Sequence, residues 1–242
     1  MTAAAEPLAP LPAGFPETRQ ALRRLAVYVV APARKVVTGR IGLQPTPGGF
    51  GTPVFGEGEQ VRVQGATLYR QRGDSTDSAP ITSLAAAAEL AGVKLSDDPG
   101  VGPDIPELGD PEAPLPVSEP AALALGALYA FAGAVLAELK VELDAGGQPC
   151  SAIQLWPEHF DLGCSIEGAN FGCSPGDSFS ADPYVYVGPW NTEGLHADLW
   201  NAPFGAVLPY AELLVVGHQH QAALAFLRRG AGLALSRAGE LP

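Results

Sequence analysis

Basic residues are scarce. Fourteen Lys and Arg stand against 26 Asp and Glu, a net charge of −12 over 242 residues. Nucleic-acid binding depends on a basic face that displaces counterions, so this balance argues against it, and it equally disfavours an anionic membrane surface. Cysteine is nearly absent. Cys150, Cys164 and Cys173 are an odd number without C-x-x-C spacing. A disulfide scaffold would be denser and a structural zinc site would pair its ligands more closely, so reduced thiols in a cytoplasmic protein are expected, without a metal centre. No basic residue precedes Arg19, and Met1 to Pro16 holds four prolines. That stretch lacks the charged and apolar regions of a signal peptide and is expected to be a flexible tail, residues 1–16.

Cofactor signatures are missing as well. There is no G-x-x-x-x-G-K-[ST], and Gly49-x-Gly51 and Gly56-x-Gly58 both lack the third glycine of a dinucleotide fingerprint, so no cofactor is expected. One long uncharged run exists, Ala121 to Ala137. Most of it is Ala or Gly, with little transfer energy into lipid, and acids follow at once; it reads as a buried helix of a soluble protein rather than a membrane span. On that reading Ala127 and Ala130 face the core, where leucine would overpack.

Glycine and proline are plentiful, at 29 and 24 residues, so turns must be many. The spacing predicts a helix over 18–30, stopped by Ala31-Pro32, and a strand over 36–43. Val61 to Tyr69 suggests a hairpin around Gln64-Gly65, and Ser83 caps a short Ala-rich helix reaching Gly92. The stretch 96–120 is acidic and Pro-rich, a connector with extended character. A long helix over 119–143 follows, then short strands at 153–156, 159–166, 183–187 and 205–208, and a closing helix over 219–235. Helices and strands are segregated without regular alternation. The fold class is therefore α+β, an antiparallel-rich sheet packed against the long helix, in a single domain over 17–236.

Gly172-Cys173-Ser174-Pro175-Gly176 matches the serine-hydrolase pattern G-x-S-x-G, with His196, His218 and His220 downstream. Pro175 has no N–H to give an oxyanion, and no helix former follows, so a tight turn is expected. His218-Gln219-His220 reads as a polar turn rather than a metal site. His159-Phe160-Asp161-Leu162 is more informative. Period-two alternation puts His159 and Asp161 on one strand face, where they can orient one another, and Tyr184 and Tyr186 share a face of a later strand. A convergence of these groups is either a paired structural cluster or the lining of a ligand pocket.

The stretches TPGGFGTP (46–53), LWPEHFDL (155–162), SPGD (174–177) and PYVYVGPW (183–190), with Thr38 to Leu43 and Trp200 to Ala206, carry a resemblance. On them the chain resembles a family of bacterial proteins with a domain of unknown function, over about residues 18 to 230. The resemblance implies no activity and no ligand, and the cysteines lie outside its pattern.

Three functions follow as expectations. The first is a cytoplasmic binding or accessory protein whose sheet-lined pocket takes a small polar or anionic ligand. Its lining would be Arg40, Gly48, Gly49, His159, Asp161, Asp177, Tyr184 and Tyr186, with the Gly-rich loop cradling an anion that Arg40 neutralises. The second is a hydrolase or isomerase with His159 as general base oriented by Asp161. The third is an interaction module that presents the acidic connector.

Overall fold

Segments far apart in the chain assemble into an α+β fold with two antiparallel sheets and a long helix. The computed structural model describes residues 7–193, 195 and 198–238. Where the sequence reading takes 17–236 as one domain, the contacts form two compact units. One holds Pro10–Ala130 and Leu155–Asp161; the other holds Met1–Ala9, Phe131–Gln154 and Leu162–Pro242.

The first unit opens on a helical rod. Helix α1 (Phe15–Leu25) passes through a π-helical turn, Ala26–Val30, into α2 (Ala31–Thr38). The expected stop at Ala31-Pro32 does not occur. Proline lacks an N–H and crowds the carbonyl four residues back; the wider π turn just before it absorbs that mismatch, and the rod continues. Every residue of the π turn is buried, so packing supports the irregular register. The strand expected over 36–43 is absent too. Val36 and Val37 end α2 at 84% and 54% exposure, and Gly39, at φ 71°, caps it. Their β-branched character carried no burial with it.

Five strands follow: β1 (Gln44–Thr46), β2 (Gly49–Gly51), β3 (Glu59–Gln64), β4 (Thr67–Arg72) and β5 (Ser75–Pro80), paired antiparallel in that order. The hairpin expected near Gly65 is β3–β4. Strand β5 was not legible, because Ser-Thr-Asp-Ser-Ala-Pro is a polar, mostly exposed edge. Helix α3 (Leu84–Ala91) has the expected cap: Ser83 Oγ accepts from the Ala86 N–H at 3.1 Å.

The acidic connector is fastened by its main chain. Tyr28 donates to the Pro106 carbonyl at 2.5 Å, Lys35 to that of Pro99 at 3.1 Å, and Arg23 to that of Asp104 at 2.7 Å. Arg24 donates to Leu108, and Thr18 Oγ1 both donates to the Pro116 carbonyl and accepts from the Ser118 N–H. A proline-rich segment has few N–H groups and leaves carbonyls unpaired, which these donors satisfy.

Helix α4 (Glu119–Ala145) contributes Glu119–Ala130 to this unit and its remainder to the other. It is long and apolar enough to cross a membrane, yet 56% of its most apolar window is buried inside the fold. Ala127 and Ala130 are exposed, against expectation. Gly126 takes the close contact instead: a Cβ there would stand 2.5 Å from Gly48 C and Gly49 N.

The second sheet has the order β10-β9-β8-β7-β6, from β6 (Gln154–Trp156), β7 (Asp161–Ile166), β8 (Ala169–Ser174), β9 (Tyr184–Pro189) and β10 (Ala206–Pro209). Within the second unit α5 (Tyr210–Leu214) and α6 (Gln219–Ala238) follow it. Gly230 of α6 lies flush on β9, where a Cβ would meet Val187 Cγ2 at 2.5 Å. Part of the supposed tail is pinned. The Leu8 N–H donates to Gln219 Oε1 at 2.6 Å, Gln219 Nε2 donates back to the Leu8 carbonyl, and Phe15 already belongs to α1.

Candidate functional site

The eight residues singled out from the sequence divide between the units. Arg40, Gly48, Gly49, His159 and Asp161 belong to the first, and Asp177, Tyr184 and Tyr186 to the second. The Gly48-Gly49 turn is packed rather than open. Its amides and carbons abut Gly126, and the Gly48 carbonyl accepts from the Gly65 N–H at 3.0 Å. These glycines permit a close backbone approach. Arg40 is exposed past the end of α2. It stands near the half-buried Arg34, whose pKa is lowered by burial and by the Arg40 charge.

The centre of interest is the turn before β7. The main chains of Leu43 and Leu155 exchange two hydrogen bonds of 2.9 Å, which hold its start. Pro157 to Phe160 then turn, and the Phe160 N–H closes on the Trp156 carbonyl at 2.7 Å. Phe160 has φ 59°, alone among described non-glycine residues in that region. His159 is therefore in the turn and exposed, not on the strand, and the alternation linking it to Asp161 is broken. A left-handed residue between them reverses the chain where the pattern assumed extension.

Tertiary contacts hold this turn rigidly. The Phe160 ring is buried edge-on against Phe50 at 5.1 Å and Tyr129 at 5.7 Å, and Tyr129 donates to its carbonyl at 2.6 Å. Arg23 donates Nε and Nη2 to the Glu158 carbonyl at 2.8 and 2.5 Å. The side chain of Glu158 is left over. Its Oε2 is sealed from solvent and has no hydrogen-bond partner, and a Cβ at Gly102 would stand 3.3 Å from its Cγ. Burial raises the Glu158 pKa; its own backbone N–H and His159 oppose the rise, Asp161 adds to it, and Arg23 opposes it. Glu158 was missed in the sequence. A carboxylate pair three positions apart in Glu158-His159-Phe160-Asp161 was the available signal.

The second unit gathers its three residues differently. The register sets Gly163 beside Gly172 and Gly172 beside Tyr186, and a Cβ at Gly172 would meet the Tyr186 hydroxyl at 2.5 Å. Tyr186 thus covers a glycine floor. Tyr184 donates to Asp177 Oδ2 at 2.6 Å, while Asp177 Oδ1 accepts from the N–H groups of Phe179 and Ser180. Asp177 is spent on closing its own loop. Ser174 ends β8 with no helix after it, and its Oγ accepts from the Gly176 N–H at 3.1 Å; the strand–turn–helix of a hydrolase is missing here. Trp190 is 63% exposed and donates to Asn170 Oδ1 at 3.0 Å.

His220 hydrogen-bonds Glu138 at 2.9 Å, His218 is exposed, and His196 lies outside the described residues. Among the described residues no three His, Cys, Asp or Glu side chains form a group that could hold a metal ion. No protein-family model, curated protein or solved structure matches the chain.

Proposed function

We propose that the chain is a cytoplasmic binding or accessory protein that takes a small polar ligand at the Trp156–Asp161 turn, with Glu158 making the central hydrogen bond. The observation that carries this reading is the sealed, unpartnered Glu158 Oε2. A buried polar atom without a partner costs roughly 1–3 kcal/mol, and stability gives no reason to keep it. The surrounding backbone is already engaged by Arg23 and Tyr129, so the carboxyl is presented in one geometry. With its pKa raised, the group keeps its proton to higher pH than an ordinary glutamate and can donate as well as accept. That favours a neutral ligand with both a donor and an acceptor, such as a polyol or an amide.

The same carboxyl beside a bound substrate would serve as a general acid. An enzymatic reading therefore moves from His159 with Asp161 to Glu158 with Asp161. An anionic ligand has a different candidate place, Arg34 with Arg40, because the Arg40 charge disfavours the charged Arg34 and an anion between them would relieve both.

The test is thermal unfolding against neutral polyols, amides and amines, on the natural chain and on Glu158→Gln. A ligand at a hundred times its Kd adds about 2.7 kcal/mol, a shift of roughly 5–10 °C for a chain of this size. One chemical class should stabilise the natural chain and leave Glu158→Gln unmoved. Equal stabilisation of both, or of neither, overturns the reading.

A further inference from the structure

Cys150 and Cys164 meet inside the second unit. Two bonds lay the segment before β6 against β7: the Ser151 N–H donates to the Ser165 carbonyl at 2.8 Å, and the Ser165 N–H donates to Ser151 Oγ at 2.9 Å. Each cysteine immediately precedes one of these serines, and the Cys150 side chain is among the causes that raise the Cys164 pKa. Both are nearly sealed, at 8% and 4% exposure. Lys140 stands over the pair, donating to the Cys150 carbonyl at 2.5 Å and to Asp144 at 2.9 Å, while Asp144 Oδ1 accepts from the Cys150 N–H at 2.8 Å. Cys150 is thus tied at both its N–H and its carbonyl, which fixes its backbone beside β7. Cys173 is occupied elsewhere, its thiol directed to the Ser174 carbonyl at 3.9 Å.

We propose that Cys150 and Cys164 are a two-electron redox site, which a peroxide converts into an intramolecular disulfide. Cys150 is the more exposed of the two and takes the nucleophile's role, while burial, first among the causes, pushes the Cys164 thiol up. The Cys150 sulfur attacks one peroxide oxygen, the O–O bond breaks, and the departing hydroxide leaves as water with the Cys150 proton. The sulfenic acid so formed is displaced by the Cys164 sulfur: the S–S bond forms, the S–O bond breaks, and the hydroxyl leaves as water with the Cys164 proton. Two thiols are oxidised to one disulfide and hydrogen peroxide is reduced to two waters. The sulfurs close to about 2.05 Å, and a dithiol reverses the reaction by exchange. By connectivity, the covalent loop so closed contains Trp156–Asp161.

The full chain is treated with hydrogen peroxide, unfolded, blocked with N-ethylmaleimide and digested unreduced with a glutamyl endopeptidase. Cleavage after Glu142, Glu158, Glu167 and Glu193 leaves the three cysteines on three peptides. The expected result is a linked Cys150–Cys164 peptide pair, lighter by two hydrogens than its parts, with Cys173 recovered alkylated and the link lost on treatment with dithiothreitol. Cys173→Ser should give the same yield. Recovery of Cys150 and Cys164 as alkylated thiols, their arrest at sulfinic acid, or links to Cys173 or to a second molecule would each overturn the proposal.

Discussion

Tyr129 donates its hydroxyl to the carbonyl of Phe160 at 2.6 Å, while the two rings meet edge-to-face at 5.7 Å. A single residue of α4 thus secures both the backbone and the side chain of a residue held at φ 59°. Such a conformation costs on the order of 1–3 kcal/mol outside glycine, and burying a phenylalanine ring contributes about 1.5–3 kcal/mol against it. The turn persists because the contacts around Phe160 over-determine it. Glu158 and Asp161 are held in place on either side.

Removing the hydroxyl isolates one part of that arrangement. Tyr129→Phe keeps the ring and leaves the buried Phe160 carbonyl without this donor, so stability should fall by roughly 1–3 kcal/mol in urea unfolding. A loss within error of zero would mean that the bond does not hold the turn.

Glu158 should make stability depend on pH in the direction opposite to a salt-bridged carboxylate. Its folded pKa is raised above the ordinary 4.5, so between those two values the folded chain holds more protons than the unfolded chain. Stability is then greatest below pH 4.5 as far as this group is concerned, and falls as pH rises through the window. Glu158→Gln removes that dependence. Urea midpoints for both chains from pH 4 to 8 should diverge in favour of the variant at the upper end; parallel curves would contradict the assignment.

Gly126 and its neighbours on α4 separate a core contact from a solvent face. Gly126→Ala drives a methyl into the Gly48-Gly49 backbone and should cost about 1–3 kcal/mol. Ala127→Leu and Ala130→Leu sit on the exposed side and should change stability by no more than about 0.5 kcal/mol. The reverse ranking would place the helix in a different rotation.

The connector should open locally before the fold does. Combining Arg24→Ala with Tyr28→Phe releases the Leu108 and Pro106 carbonyls. If that lowers the opening free energy by about 1.4 kcal/mol, cleavage after Glu107 or Glu112 under native conditions should quicken roughly tenfold. An unchanged rate would show that other contacts hold the segment.

Local chemistry written in the chain determined much of this protein. The Ser83 cap, the Pro120 start of α4, the Gly65 hairpin and the alternation of β9 each act over one turn or one strand, and each stands in the fold. Nothing local announces that the helix survives Pro32, because the π turn that carries it is held by burial among distant residues. Periodicity placed His159 beside Asp161 on a strand; the Phe50–Tyr129 packing around Phe160 turned the chain there instead. It exposed the histidine and sealed a Glu158 oxygen away from water. The meeting of Cys150 with Cys164 is of the same kind. Propensity and pattern act between neighbours in sequence, whereas burial and a carboxyl's pKa depend on groups that only the folded chain brings together.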